Sequence, residues 1–158
     1  MLRDLMVNEI DAADATYTAD VALATGMGVV ADIANKLAKL PAAETGTDIL
    51  FVQKARVPYG CIAARTIFSD YEPQFNNYEK DEKVVLYDYS YRNIFATDQY
   101  ANTITDADVD KFVAWGTDGK AVIAANTTDS LYKFMGFYND AGHKLAKFIK
   151  VEVPGKNA

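Results

Sequence analysis

The chain has 158 residues and a mass of 17.4 kDa, which is the size of a single domain. Half of its residues are hydrophobic, 12% are aromatic and 24% are charged, so the composition excludes a disordered chain. The net charge of −6 disfavours binding to a nucleic-acid backbone. The single cysteine, Cys61, excludes an internal disulfide.

The first 14 residues are predicted to form an N-terminal arm, followed by a single β domain over residues 15–158. The apolar residues of the arm fall at helical spacing, which suits a short amphipathic turn; they are Leu2, Leu5, Met6 and Ile10. So short a segment is not stable alone, and it is either a frayed terminus or an arm that packs on something. Its deletion is expected to leave the domain folded.

The N-terminus does not have the pattern of a signal peptide. Asp4 and Glu9 interrupt the apolar region that such a peptide needs. The longest apolar-leaning stretch, Val21–Ala31, is much shorter than the roughly 20 residues of a spanning helix. We therefore expect no membrane partner.

Two segments in the middle of the chain are typical of β-strands. Asp48–Lys54 is a compact apolar run between Gly46 and Pro58. Lys83–Tyr91 alternates, with a tyrosine-rich face and an opposite face that begins with Val84 and Leu86. A period of two predicts a strand with one face against a core.

The last third of the chain predicts two successive hairpins and hence an antiparallel meander. Asp118 and Gly119 separate the apolar runs 109–115 and 121–124, which favours a type I′ turn with positive φ at both central residues. The second hairpin joins 131–138 to 143–153 through the turn 139–142. In its final run Leu145, Ile149, Val151 and Val153 share one face, and Lys147 breaks the pattern. The fold is therefore predicted to be all-β, a small antiparallel barrel or sandwich.

The segment 28–40 is ambiguous between helix and strand. Its apolar residues Val30, Ile33, Leu37 and Leu40 fit an amphipathic helix that ends at Pro41. The tight turn at Gly28 and the surrounding strands favour β structure instead. We predict a strand.

A polar and aromatic loop is predicted between Phe68 and Lys83, since Pro73 and the Asn76–Asn77 pair argue against a regular element. Its rings, Tyr71, Phe75 and Tyr78, suit protein contacts, because tyrosine offers a large apolar area with a polar tip. The alternative is that they fold back as a lid on the barrel end.

The sequence predicts no catalytic residue, cofactor or metal. Asp106, Asp108 and Asp110 have the opening spacing of a calcium loop, but Lys111 and Thr117 stand where glycine and an acid are required. The single histidine, His143, follows a turn, and Cys61 is expected to be a buried thiol. A non-enzymatic role is therefore expected.

Charge is unevenly distributed along the chain. Residues 1–32 contain six acidic residues against Arg3, whereas residues 143–158 contain four lysines against Glu152. Opposed patches of this kind could steer neighbouring copies of the chain into register, or they are ordinary solvated faces.

Several stretches resemble small structural proteins of tailed bacteriophages. They are residues 7–18, Gly26–Val30, Leu40–Pro41, Gly119–Lys120, Tyr132–Gly136 and Asn139–Ala146. The layout is similar to that of head decoration (capsid cement) proteins, which are small, β-rich and often barrel-like. Tail proteins share the same texture.

The resemblance implies a non-enzymatic virion protein that is made in the host cytoplasm and binds the major capsid protein on the outer capsid surface. It also implies contacts between copies, as a trimer or another oligomer. The candidate contact residues are Leu2, Leu5, Met6, Ile10, Tyr71, Phe75 and Tyr78. The alternatives are a tail or connector-region protein and, from a different class, a small-molecule-binding β-barrel, which needs an internal cavity.

Overall fold

The chain folds into two facing six-stranded sheets and a two-stranded ribbon, as seen in a computed structural model that describes residues 1–7, 10–53 and 71–158. Neighbouring strands are antiparallel except for one parallel pair in the second sheet. The predicted all-β class is confirmed.

The strands are numbered in chain order and described here in spatial order. The first sheet contains β1 (Leu2–Met6), β10 (Ile94–Thr97), β14 (His143–Gly155), β13 (Ser130–Asp140), β11 (Phe112–Trp115) and β12 (Ala121–Ile123). The second contains β2 (Ile10–Asp14), β9 (Leu86–Tyr89), β7 (Leu50–Val52), β5 (Gly28–Asp32), β6 (Leu37–Lys39) and β3 (Thr18–Ala19). The ribbon pairs β4 (Leu23–Ala24) with β8 (Asn77–Tyr78), and a short helix, α1 (Pro73–Asn76), precedes β8.

The space between the two sheets is filled by aromatic rings. Phe51 from the second sheet lies at its centre, with ring centroids 4.6 Å from Phe95, 5.0 Å from Trp115 and 5.5 Å from Tyr132, all on the first sheet. Tyr89, from the strand beside Phe51, stacks on Phe95 at 4.3 Å. These tilted, edge-on and stacked contacts join the two sheets into one body.

A second apolar cluster covers the other face of the second sheet. Val29, Val52 and Leu86 are buried there against Leu23 and Tyr78 of the ribbon. The second sheet is therefore buried on both faces, and the prediction that residues 83–91 have a single core face is wrong. Leu86 points to the ribbon side, while Tyr89 points into the aromatic core.

The segments Leu2–Met6 and Ile10–Asp14 are strands of the two sheets rather than parts of a separate arm. β1 pairs with β10 and β2 pairs with β9, so the helical turn suggested by the spacing is wrong. Leu2 packs in the aromatic core with 6% of its surface exposed. Backbone pairing with two sheets outweighs the weak helical pattern of so short a segment.

Residues 28–40 form the predicted β structure, since β5 and β6 pair as a hairpin. The hairpin at Asp118–Gly119 is confirmed, but its predicted turn type is wrong, because of the two central residues only Gly119 has a positive φ (73°). The loop has three residues, with the Gly119 amide donating to the Gly116 oxygen at 2.9 Å. Glycine in the left-handed region closes such a loop with a bulge.

The second predicted hairpin is also present, as β13 and β14 with Ala141 and Gly142 between them. Both turn residues have positive φ, 51° and 94°, as a type I′ turn requires. This turn geometry was expected at the other hairpin.

The predicted irregular loop contains regular structure in its described part. Pro73 begins α1, where its missing N–H costs nothing because the first helical amides have no partner within the helix. Asn77 and Tyr78 then pair with the strand β4. The rest of the loop, with Cys61 before it, lies outside the described residues. Within the described ranges, no helix is long and apolar enough to cross a membrane.

Replacement of Phe51 by alanine should lower the free energy of unfolding by about 3–5 kcal/mol, because it empties the space at which both sheets meet. Tyr91→Ala is a control at a less buried ring, since Tyr91 is 46% exposed at a turn and its loss should cost no more than about 1 kcal/mol. Urea denaturation measures both. Equal losses would show that the ring contacts around Phe51 do not hold the sheets together.

Two substitutions in β1 test whether the N-terminus is a core strand or an arm. Leu2→Ala should cost about 2 kcal/mol or more in unfolding free energy, because its side chain is buried. Met6→Ala, in the same strand but 47% exposed, should change it by less than about 0.5 kcal/mol. If neither substitution lowers the melting temperature, β1 does not contribute to the core.

Candidate partner-binding face

The solvent side of the first sheet carries a cross-strand row of apolar side chains. The register places Met6 opposite Ile94, and Ile94 opposite Ile149. Residues directly opposite in an antiparallel pair point to the same face. The next residues, Phe95 and Phe148, are buried in the aromatic core, so the row points away from it. We call Met6, Ile94 and Ile149 the outer row.

The outer row is unusual for a sheet face that meets water. Antiparallel sheets with one solvated face normally alternate apolar residues inside with polar residues outside. Here Met6 is 47% exposed, Ile94 and Ile149 are half-buried, and Met135 of the neighbouring strand is also exposed. Covering these side chains would remove apolar surface from water, which is favourable by about 25 cal/mol per Å².

Basic side chains border the outer row. Lys133 lies opposite Ile149 at the end of the row and forms an ion pair with Asp110 at 2.9 Å. The adjacent outward-facing row contains Arg3 and Lys147, which flank Ala96. Within the described part of the chain Lys147 forms no ion pair. The face is thus apolar at its centre and basic at its edge, on a chain of net charge −6.

The tip of the β13–β14 hairpin carries a compact polar cluster around Tyr71. The Tyr71 hydroxyl donates to Asp140 Oδ2 at 2.6 Å, and Arg3 Nε donates to the same oxygen at 2.5 Å. The exposed His143 ring stacks on Tyr71 with centroids 3.7 Å apart and planes 11° apart. Burial, followed by the hydrogen bond to Asp140, raises the pKa of Tyr71 above its usual 10.0. These contacts hold the ring of Tyr71 in one orientation beside Arg3.

The predicted contact residues separate into accessible and buried ones. Met6 is exposed in the outer row, and Tyr71 is half-buried at the hairpin tip. Leu2 and Tyr78 are core residues, so a partner cannot reach their side chains in the folded chain. The Tyr78 hydroxyl donates to the Gln53 oxygen at 3.0 Å, and the interpretation of Tyr78 as a surface ring is wrong.

The remaining predicted contact residues do not lie in the outer row. Leu5 is half-buried at the irregularity in β1, and Phe75 is half-buried in α1. Ile10 occupies a strand position in β2, opposite Tyr89, and its side chain lies outside the described residues.

The sequence analysis did not identify Ile94 and Ile149 as contact residues, although the alternating pattern of residues 143–153 already placed Ile149 on one face of a strand. Of the four residues predicted to share a face, Ile149 lies next to the core residue Phe148 and points outward, and Val153 is exposed, whereas Leu145 is buried. Lys147, which seemed to break the pattern, is in its proper place on a solvent face.

Two aspartates of the acidic run 106–110, Asp108 and Asp110, form contacts within the chain. Thr105 donates to Asp108 through its backbone N–H and its hydroxyl, each at 2.8 Å, and Lys111 Nζ lies 2.8 Å from the other oxygen. The hydrogen bond from Lys111, followed by those from Thr105, lowers the pKa of Asp108 to about 2. In the ranges that the structure describes, no group of three or more potential ligands is placed to hold a metal ion.

Comparison of the chain with protein-family models, curated proteins and solved structures finds no match.

Because of the Tyr71 cluster, the free energy of unfolding should vary with pH in the alkaline range. The unfolded chain releases the tyrosine proton near the usual pKa of 10.0, whereas the folded chain holds it to higher pH. The free energy of unfolding should therefore fall as the pH rises above 10.0, and it should fall less steeply in Tyr71→Phe. Below about pH 9 the free energies of unfolding of the wild type and of Tyr71→Phe should differ by a constant amount. Urea titrations across this range measure the effect, and parallel curves at all pH values would contradict it.

Proposed function

We propose that this chain is a non-enzymatic structural protein of a virion, a head decoration protein that binds the major capsid protein on the outer capsid surface and stabilises the shell. The observation that carries the proposal is the outer row, an apolar strip on the solvent side of a rigid sheet. Such a strip gains free energy when a neighbouring protein covers it.

The rigid body suits this role. A protein that reinforces a shell must resist deformation while it bridges its neighbours, and the aromatic rings around Phe51 join the two sheets tightly. The basic side chain of Lys147 beside the outer row suits an acidic surface on the partner, which would also select the orientation of docking. The resemblance of several stretches to phage structural proteins points to a capsid as that partner.

The structure favours neither of the other two roles over decoration. A tail or connector-region protein needs the same kind of contact face and differs in copy number. A small-molecule-binding barrel needs an internal cavity, whereas Phe51, Tyr89, Phe95, Trp115 and Tyr132 occupy the space between the sheets.

Capsid binding tests the proposal directly. The double variant Met6→Lys/Ile149→Lys should lose at least about tenfold in affinity for purified heads of the phage that encodes the chain, since two charges would be placed in a contact that water leaves. Val21→Lys is the matched control, because this valine is also exposed but lies between β3 and β4, outside the first sheet. Co-sedimentation with heads, followed by quantitative mass spectrometry, gives the bound copies.

The copy number separates the roles. A decoration protein should be present in a fixed ratio to the major capsid protein over the whole shell, and a tail component in a few copies per particle. Absence of the wild-type protein from purified virions, or equal binding by the double variant and the control, would overturn the proposal. Equal melting temperatures of the variants would exclude unfolding as the cause of lost binding.

A further inference from the structure

An open groove of about 460 Å³ lies beside the second sheet, and Met6, Ile94 and Ile149 are not among its lining residues. The strand β5 pairs with β7 only at Gly28 and Val29, and then continues with β6 alone as a projecting hairpin. The residues before β7, 47–49, form the facing wall. The volume is within the range of ligand clefts, about 300–1,000 Å³.

The groove is lined by polar and apolar side chains, and one of the apolar ones is unusually exposed. Val30, Ile33 and Leu50 line it. Ile33 stands in the turn between β5 and β6 with 69% of its surface exposed. A β-branched apolar residue is uncommon in such a turn, where glycine, asparagine and aspartate predominate. Its position at the mouth of a groove suggests that it contacts a bound group.

The charged groups of the groove leave an excess of negative charge. Lys150 Nζ lies 2.8 Å from Asp88 Oδ1, so these two side chains compensate each other. Asp48 is exposed on the opposite wall, and within the described residues it forms no ion pair. The groove therefore combines apolar side chains with one carboxylate available at its edge.

We propose that this groove binds a lysine or arginine side chain that projects from a partner protein. A basic side chain has a long aliphatic stem and a cationic head, and such residues bury the stem while the head stays at a polar edge. The stem would lie against Val30, Ile33 and Leu50, and the head would meet Asp48. The inference rests on the proposed function for the nature of the partner, a neighbouring protein in the shell.

The groove can be tested without any capsid by NMR titration of the full chain. The probes are N-acetyl-arginine amide and N-acetyl-lysine amide, and N-acetyl-citrulline amide is the uncharged control. The cationic probes should shift the backbone amide signals of residues 30–33 and 47–50 saturably in the millimolar range, as expected for ligands of this size. Citrulline should bind several-fold more weakly.

Two variants separate the head contact from the stem contact. Asp48→Asn should weaken binding of the cationic probes roughly two- to fivefold, which is the range of an exposed ion pair, and leave citrulline unaffected. Ile33→Ser should weaken all three probes. The matched controls are Asp118→Asn and Val153→Ser, which alter an exposed carboxylate and an exposed valine outside the groove.

Each result of these titrations either supports or overturns the proposed binding of a basic side chain. No saturable shift at the groove, equal binding of citrulline, or equal effects of Asp48→Asn and Asp118→Asn would overturn the proposal. Selective binding of the cationic probes would support it even if the chain proved absent from virions, in which case only the proposed function would fall. Probe binding that the groove variants weaken, together with unchanged capsid affinity in those variants, would show that the groove takes a basic residue from a protein other than the capsid subunit.

Discussion

The fold depends on the insertion of Phe51 between two sheets. This ring belongs to a three-residue strand of the second sheet, yet it contacts three rings of the first. Large aromatic side chains bury roughly 150–250 Å² each, so a few of them supply much of the apolar burial that a chain of this size needs. Close packing of this kind leaves little tolerance for changes in the distance between the sheets. The two sheets therefore behave as one rigid body.

The same packing decides which surfaces remain for contacts. The second sheet carries apolar residues on both faces, and the β4–β8 ribbon covers the face that points away from Phe51. In the described part of the chain the solvent side of the first sheet has no comparable covering layer over Met6, and this methionine stays half exposed in a row with Ile94 and Ile149. An apolar row that the described residues leave exposed on such a face is a feature that a partner, rather than the chain's own core, can use.

Local sequence patterns predicted where strands and turns lie better than which side of each strand faces the core. The alternation in 143–153 and the turns at Gly119 and Gly142 specified two hairpins, because periodicity and positive φ are local properties. Which side of β14 faces inward is not local. Both sides contain apolar residues, and the choice depends on the position of Phe148 opposite Phe95, which is distant in sequence. The burial of Leu2 and Tyr78 likewise comes from pairing with remote strands.

The candidate site was only partly predictable for the same reason. Met6 was identified from its own segment, but its neighbours Ile94 and Ile149 join it through register across three strands. The groove at Asp48 depends on how far β5 extends beyond β7, a difference in strand length that no motif encodes. The outer row and the groove both lie at the edge of the packed interior. The outer row is on the solvent side of the first sheet, and the groove is where the β5–β6 hairpin extends beyond β7. The unpaired charge near each of these two features is opposite in sign, basic at Lys147 and acidic at Asp48. The proposed contact face and the proposed groove therefore select partner surfaces of opposite charge.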